Sequence, residues 1–290
     1  MGWFFIDRTL SSLNRERDLR ILYRRYERFA QLGFMLSGSR RKLLLSNLRI
    51  ALEDADESKI QSAANHIVRH IGRGFVDVLY HTLHPGLLPE HVRLEGNGVI
   101  DEVLSVGKGC IVATGHVGTF PWIGVPIVKK GVPFGAIARD PHDERLKDLF
   151  NQARTRIGYT NIPDRPPLRV LKRSLQILRK GGAVMIAFDM HPGEMGGLEV
   201  DFLGRRTPMF SAVIRLAARS GVPVVPGHVL WEPDGMHHRA TYYTPITVPE
   251  EADVEDCPVT RELLQGLAHW LSGIIRRYPD QWWGLYRRWR

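Results

Sequence analysis

Between residues 18 and 36, apolar side chains recur at Leu19, Leu22, Tyr26, Phe29 and Phe34, three to five positions apart. That spacing lines one face of an α-helix, so a helix is predicted from about Asp18 to Leu36. Arg20, Arg24 and Arg28 repeat every four residues on another face, and a basic amphipathic helix of this kind suits an anionic membrane surface. It equally suits a helix packed on a core with a solvated arginine face. After a Gly-Ser break, "GSRRKLLLSNLRIAL" (38–52) reads as a second helix. "ESKIQSAANHIVRHIGRGFVDVLYHTL" (57–83) reads as a third, stopped by His84-Pro85-Gly86.

Beyond residue 88 the texture changes. "HVRLEG", "GCIVATG", "VPFGAIAR", "GAVMIAFD", "LEVDFLG", "VPVVPGHV" and "HRATYYTPI" are short apolar or β-rich runs. Helical patterns lie between many of them, at 145–157, 167–179, 211–219 and 262–277. This alternation predicts an α/β fold with one mixed, mostly parallel sheet flanked by helices. Residues 1–88 form an N-terminal amphipathic helical cap, residues 89–290 the α/β domain, and the two pack as one unit. There is no internal repeat, low-complexity tract or long linker.

Composition narrows the class. The 290 residues are 43% hydrophobic and 24% charged, ordinary for a chain that buries a core. No signal-peptide pattern opens the chain, and no run of ~18 apolar residues is present to span a bilayer. The Met1-Gly2 start lacks the downstream Ser or Thr of a myristoylation site. The two cysteines, Cys110 and Cys257, predict neither a disulfide framework nor a metal site. His66 and His70 share a helical face, but no acidic third ligand is suitably spaced, so no metal is expected. The net charge of +9 favours anionic partners, and arginines crowd both ends of the chain, in 15–29 and 276–290.

Chemistry is expected at the carboxyl ends of the parallel strands, where open α/β sheets bind ligands. His116 stands there, in "IVATGHVGTFPW", with Gly115 and Gly118 beside it to admit a substrate to the backbone. The amides near Thr119 open the next helix, which favours negative charge. Arg139 and Asp140 follow another strand in "AIARDP". Arg154 and Arg156 close a helix in "ARTRIG". Asp189 ends a further strand, ahead of a glycine-rich loop.

Taken in order, these segments resemble the lysophospholipid acyltransferase superfamily, and within it the bacterial late acyltransferases of lipid A. The resemblance covers nearly the whole chain. "RRKLLLSNLRIAL" is similar to that family's basic-start helix, and "GKGCIVATGHVGTFPW" to its G-x-G-x-I-x-x-x-x-H-x-G-N-W-E block. "ARTRIG" is similar to its Arg-x-Arg-x-Gly. "FD…GLEVDFLGRRTPM" and the ending "YPDQWWGLYRRWR" match as well. The resemblance implies a glycerol-3-phosphate acyltransferase-like fold. It also implies transfer of an acyl chain from a thioester, on acyl carrier protein or coenzyme A, to a hydroxyl of a lipid A-type or other glycolipid or lysolipid acceptor, with no further cofactor. His116 would be the general base. Gly118, Thr119, Arg139, Arg154, Arg156 and Asp189 would lie in the substrate region, the arginines holding the donor's phosphate or steadying the oxyanion, and Asp189 supporting the site.

One position departs from the family pattern of His-x₄-Asp or His-x₄-Glu. Five residues after His116 stands Pro121, which carries no acid. Three readings follow. Another carboxylate (Asp189, Glu194, Asp140 or Glu199) reaches the imidazole; or His116 works alone at reduced rate; or the chain binds acyl lipid or acyl carrier without transferring. The basic ends and the aromatic opening "MGWFFI" imply a peripheral protein on the cytoplasmic face of an inner membrane. No recognised nucleic-acid module is present, and a nucleic-acid partner is not expected.

Overall fold

The computed structural model describes residues 18–96, 98–139, 141, 143–193, 197–254 and 256–289. The aromatic opening, Asp140 and Glu194 therefore lie outside the described residues. The three expected helices open the structure as α1 (Leu19–Leu36), α2 (Gly38–Ala51) and α3 (Glu57–Leu83). Asp18 caps α1 by accepting from the Arg20 amide, and Asp56 caps α3 by accepting from the Lys59 amide, which satisfies backbone donors that a helix start leaves free.

The rest follows in the order α4 (Leu88–His91), β1 (Val92–Glu95), α5 (Val99–Ser105), β2 (Cys110–Thr114), α6 (Val125–Val128), β3 (Phe134–Ala138), α7 (Glu144–Arg156), β4 (Tyr159–Pro163), α8 (Pro167–Leu178), β5 (Ala183–Ala187), β6 (Leu198–Phe202), β7 (Arg205–Met209), α9 (Ala212–Ser220), β8 (Val224–Trp231), β9 (His238–Tyr242) and α10 (Pro258–Arg277). Seven strands form one sheet in the order β1-β9-β8-β2-β5-β3-β4. All neighbouring pairs are parallel except β8–β9. The expected mixed, mostly parallel sheet is present. Strands β2 and β8 are buried at every position, as continuous apolar runs under helices on both faces must be. Burial also pushes the Cys110 thiol, at the head of β2, up to about 12.

Four elements differ from expectation. β6 and β7 leave the main sheet and pair only with each other. Their turn, Leu203-Gly204, has positive φ at both residues (56° and 81°), the backbone that a two-residue hairpin requires. The sequence "GRR" therefore turns back into a strand. β4 escapes detection because it is the sheet's outer edge and carries polar Thr160 and Asn161. α10 begins at Pro258, four residues before the apolar pattern does. Proline needs no amide partner at a helix start, and the Thr260 hydroxyl anchors that turn to the Ala252 and Val254 carbonyls.

The helical cap and the sheet share one interior. Leu44 and Leu48 of α2 and Ile60, Ala64 and Ile67 of α3 belong to the same buried cluster as Ile111 of β2 and Leu267 and Leu271 of α10. Close approach there uses glycine. A Cβ on Gly115 would meet the Leu271 side chain at 2.6 Å, and one on Gly118 (φ +54°) would lie 2.0 Å from the Val229 carbonyl oxygen of β8. The two glycines flanking His116 thus let a helix and a strand approach the loop. Gly118→Ala therefore forces both a strained φ and a backbone clash, and lowers stability by about 1–3 kcal/mol. Gly115→Ala, which meets only the movable end of a leucine, loses less; thermal melts of the two variants check the order.

Candidate active site

Adjacent parallel strands β2 and β5 run in register and end on the paired residues Thr114 and Ala187. Two residues beyond each end stand His116 and Asp189. Neighbouring strands lie about 4.8 Å apart, so the two side chains meet over the carboxyl edge of the sheet. His116 Nδ1 is 2.6 Å from Asp189 Oδ1, and the His116 backbone amide donates to Oδ2 at 3.2 Å. The carboxylate that the His-x₄-acid spacing lacks is supplied from the next strand. Of the other candidates, Glu199 lies exposed on β6.

Pro121 also has a plain physical account. It lies in the first turn of a short 3₁₀ helix, Phe120–Gly124, where backbone amides have no partner within the helix and proline costs nothing. The loop is instead held by its neighbours. The Thr119 amide donates to the Val229 carbonyl, the Gly118 amide to the Gln281 carbonyl, and the Trp283 amide to the His116 carbonyl at 2.9 Å. Thr119 is buried, and its hydroxyl lies 2.8 Å from His238 Nδ1. Gly118 and Thr119, expected to contact substrate, therefore have their amides occupied by the scaffold.

Behind this loop lies a second buried carboxylate, Asp77 of α3. It accepts from the Tyr23 hydroxyl of α1 and from Trp122 Nε1 at 2.5 Å, and it lies 3.3 Å from His81 Nδ1 and 3.2 Å from His238 Nε2. Burial alone would favour the neutral acid and raise its pKa; His238 and His81 outweigh it and hold the carboxyl well below its ordinary range. In turn His81 is raised: burial opposes its charge, but Asp77 favours it more strongly.

Asp189 follows the same logic with a stronger partner. Its residue is 2% exposed, and burial alone would favour the neutral acid. Arg288 and then His116 reverse this and hold the carboxyl far below the ordinary carboxylate range. Arg288 Nη2 donates to Asp189 Oδ2 at 2.6 Å. The imidazole of His116 faces Phe120, with ring centroids 4.6 Å apart, and Tyr286 at 5.4 Å.

An ionised carboxylate on Nδ1 fixes that nitrogen as the N–H donor. In the neutral form of the ring Nε2 then carries the lone pair, the arrangement that a general base requires. The arginines expected near substrate sit on the β3–β4 side of the sheet, two strands from β2. Arg139 is exposed and pairs with Asp164 at 2.9 Å. Arg154 hydrogen-bonds Asn151 and Asn161, and Arg156 reaches the Thr82 carbonyl. Sequence reasoning missed Arg288, Asp77 and His238. Arg288 stood in the arginine-rich ending, where its neighbours gave no sign that one of five arginines turns inward.

Known proteins resemble the chain over much of its length. The family described as bacterial lipid A biosynthesis acyltransferase matches residues 19–290. A phosphatidylinositol mannoside acyltransferase of Mycolicibacterium smegmatis is 30% identical over 210 residues, covering 69% of this chain and 65% of that protein. A phosphatidylinositol mannoside acyltransferase of Mycobacterium tuberculosis is 25% identical over 194 residues, 66% of this chain and 57% of the other. The chain thus spans somewhat less than two thirds of the length of these curated relatives. It belongs to the bacterial lipid A biosynthesis acyltransferase family, a family of enzymes.

Proposed function

We propose that this protein transfers a fatty acyl group from an acyl thioester, carried by acyl carrier protein or coenzyme A, to a hydroxyl of a glycolipid. The observation that carries this reading is the His116–Asp189 pair at the carboxyl edge of the sheet, 2.6 Å apart. Nε2 of His116 takes the proton of the acceptor hydroxyl as its oxygen attacks the thioester carbonyl. The tetrahedral intermediate collapses with loss of thiolate, which receives the proton back from the imidazolium. Asp189 orients the ring and balances its transient charge. The alternative, a non-catalytic binder of acyl lipid or acyl carrier, rested on Pro121, and a carboxylate already bonded to His116 removes its main support. A mannosylated phospholipid is the favoured acceptor class, because the matched relatives are named for one. A lipid A precursor or lysophospholipid is the comparison. Arg139, with its guanidinium exposed beyond β3, is a candidate contact for the donor's phosphate; Arg154 and Arg156 would act from the same side.

The place of action is the membrane surface, as a peripheral protein on the cytoplasmic face of an inner membrane. No helix among the described residues is long and apolar enough to cross a bilayer. The outer stripe of α1 instead exposes Phe29, Leu32, Met35 and Leu36, at 49%, 58%, 71% and 89%. Exposed Arg24, Arg25 and Arg28 flank it, as do Arg40, Arg41 and Lys42 at the start of α2. Apolar side chains ringed by cations suit shallow insertion into an anionic leaflet, each cation contributing about 1 kcal/mol close to the surface.

Purified protein, given acyl-coenzyme A and acyl carrier donors of several chain lengths, is expected to acylate one of these acceptors. His116→Ala lowers the rate by at least about 10²–10⁴-fold, and Asp189→Asn by a similar factor. Transfer at the parent rate in His116→Ala would overturn the general-base assignment. In a vesicle-pelleting assay, the protein is expected to sediment with anionic liposomes at low salt and to be released at high salt. Leu32→Glu with Met35→Glu should abolish sedimentation, whereas full retention of the parent in the supernatant would defeat the membrane reading.

A further inference from the structure

Arg288 has an unusual position for an arginine. It is 1% exposed, stacks at 4.8 Å on the Trp282 ring and at 5.6 Å on the Tyr286 ring, and donates Nη2 to Asp189 at 2.6 Å. Its Nε and Nη1 have no hydrogen-bond partner. An arginine is almost never fully buried unless paired, and removal of one partner from a buried pair strands the other charge. Its sole acidic partner among the described residues is the carboxylate that also holds His116. The segment that carries it is bound to the same loop: Val117 bridges Trp282, Trp283 Nε1 donates to the Gly118 carbonyl, and the Tyr286 ring lies against His116.

We propose that Arg288 is a positioning residue for the proposed transfer, the third member of a His116–Asp189–Arg288 chain, which the C-terminal segment Tyr278–Trp289 delivers into the site. The inference rests on His116 acting as base. Its task is to keep Asp189 ionised and aimed. Oδ2 is held by Arg288 and the His116 amide, so Oδ1 is left to face Nδ1. Without the guanidinium, a buried carboxylate beside an imidazole binds a proton more tightly, because a positive charge has left a site of low polarity. The charged and titratable groups around Asp189 are Arg288, His116 and Tyr286, with Arg40 beyond Tyr286. Of these, Arg288 is the permanent cation in direct contact.

The test compares Arg288→Met with Arg288→Lys in the full chain. Two readouts are followed against pH: kcat/KM, and the ring C–H resonances of His116 in substrate-free protein, assigned by their loss in His116→Ala. In Arg288→Met the His116–Asp189 pair retains its proton to higher pH. The acid limb of kcat/KM and the resonance midpoint move up together by about one unit or more, and kcat falls at least about tenfold while KM changes little. Arg288→Lys restores most of both. A folded Arg288→Met variant with the parent's midpoint and parent kcat would overturn the proposal. A resonance shift in a protein that transfers no acyl group would leave the chain of contacts standing and sink the proposed reaction instead. Should Arg288→Met fail to fold, Asp189→Asn combined with Arg288→Met should fold again, because no unpaired buried charge remains. Absence of that rescue would equally overturn the proposal.

Discussion

One buried carboxylate determines how the carboxyl edge of the sheet is built around His116. Asp189 sits in an apolar interior where a lone charge is costly, and it is tolerated because three donors converge on its two oxygens: the His116 imidazole, the His116 amide and the Arg288 guanidinium. The donors come from two distant parts of the chain. The register of β2 against β5 provides the first two, and the C-terminal segment provides the third. The loop bearing His116 is therefore held by the central strands and by the C-terminal segment together.

Much of the architecture was legible because its periodicities are strong. α1, α2 and α3 were bounded to within about a residue, and β2 and β5 stood out as apolar runs ending in glycine or aspartate. The expectation failed where tertiary context overrides local pattern. β4 is an edge strand with polar side chains, and β7 is made a strand by its turn rather than by its own residues. Pro258 starts a helix ahead of its apolar stripe.

The site was half legible for a related reason. His116 and Asp189 both lie at strand ends, and strand ends can be read from sequence. That they touch depends on which strands are neighbours, and the order β8-β2-β5-β3 is not written in any local window. Asp189 was one of four carboxylates considered for His116, and only adjacency distinguishes it from Glu199. Arg288 and Asp77 carry no local mark at all, since an inward-facing charge in a charged segment looks like its outward-facing neighbours. Pro121 looked like damage to a motif, yet it fits the first turn of a 3₁₀ helix, and the carboxylate beside His116 stands on another strand.

Asp77 joins two regions that serve different ends. One of its oxygens holds Tyr23 on α1, and the other holds Trp122, six residues after His116. On its far side α1 turns Phe29, Leu32 and Met35 outward. The helix that presents the apolar stripe and the loop that carries His116 are thus clamped to a single buried carboxylate, one side chain deep. A load applied to α1 from outside reaches the His116 loop through two hydrogen bonds, with no flexible linker between them to absorb it.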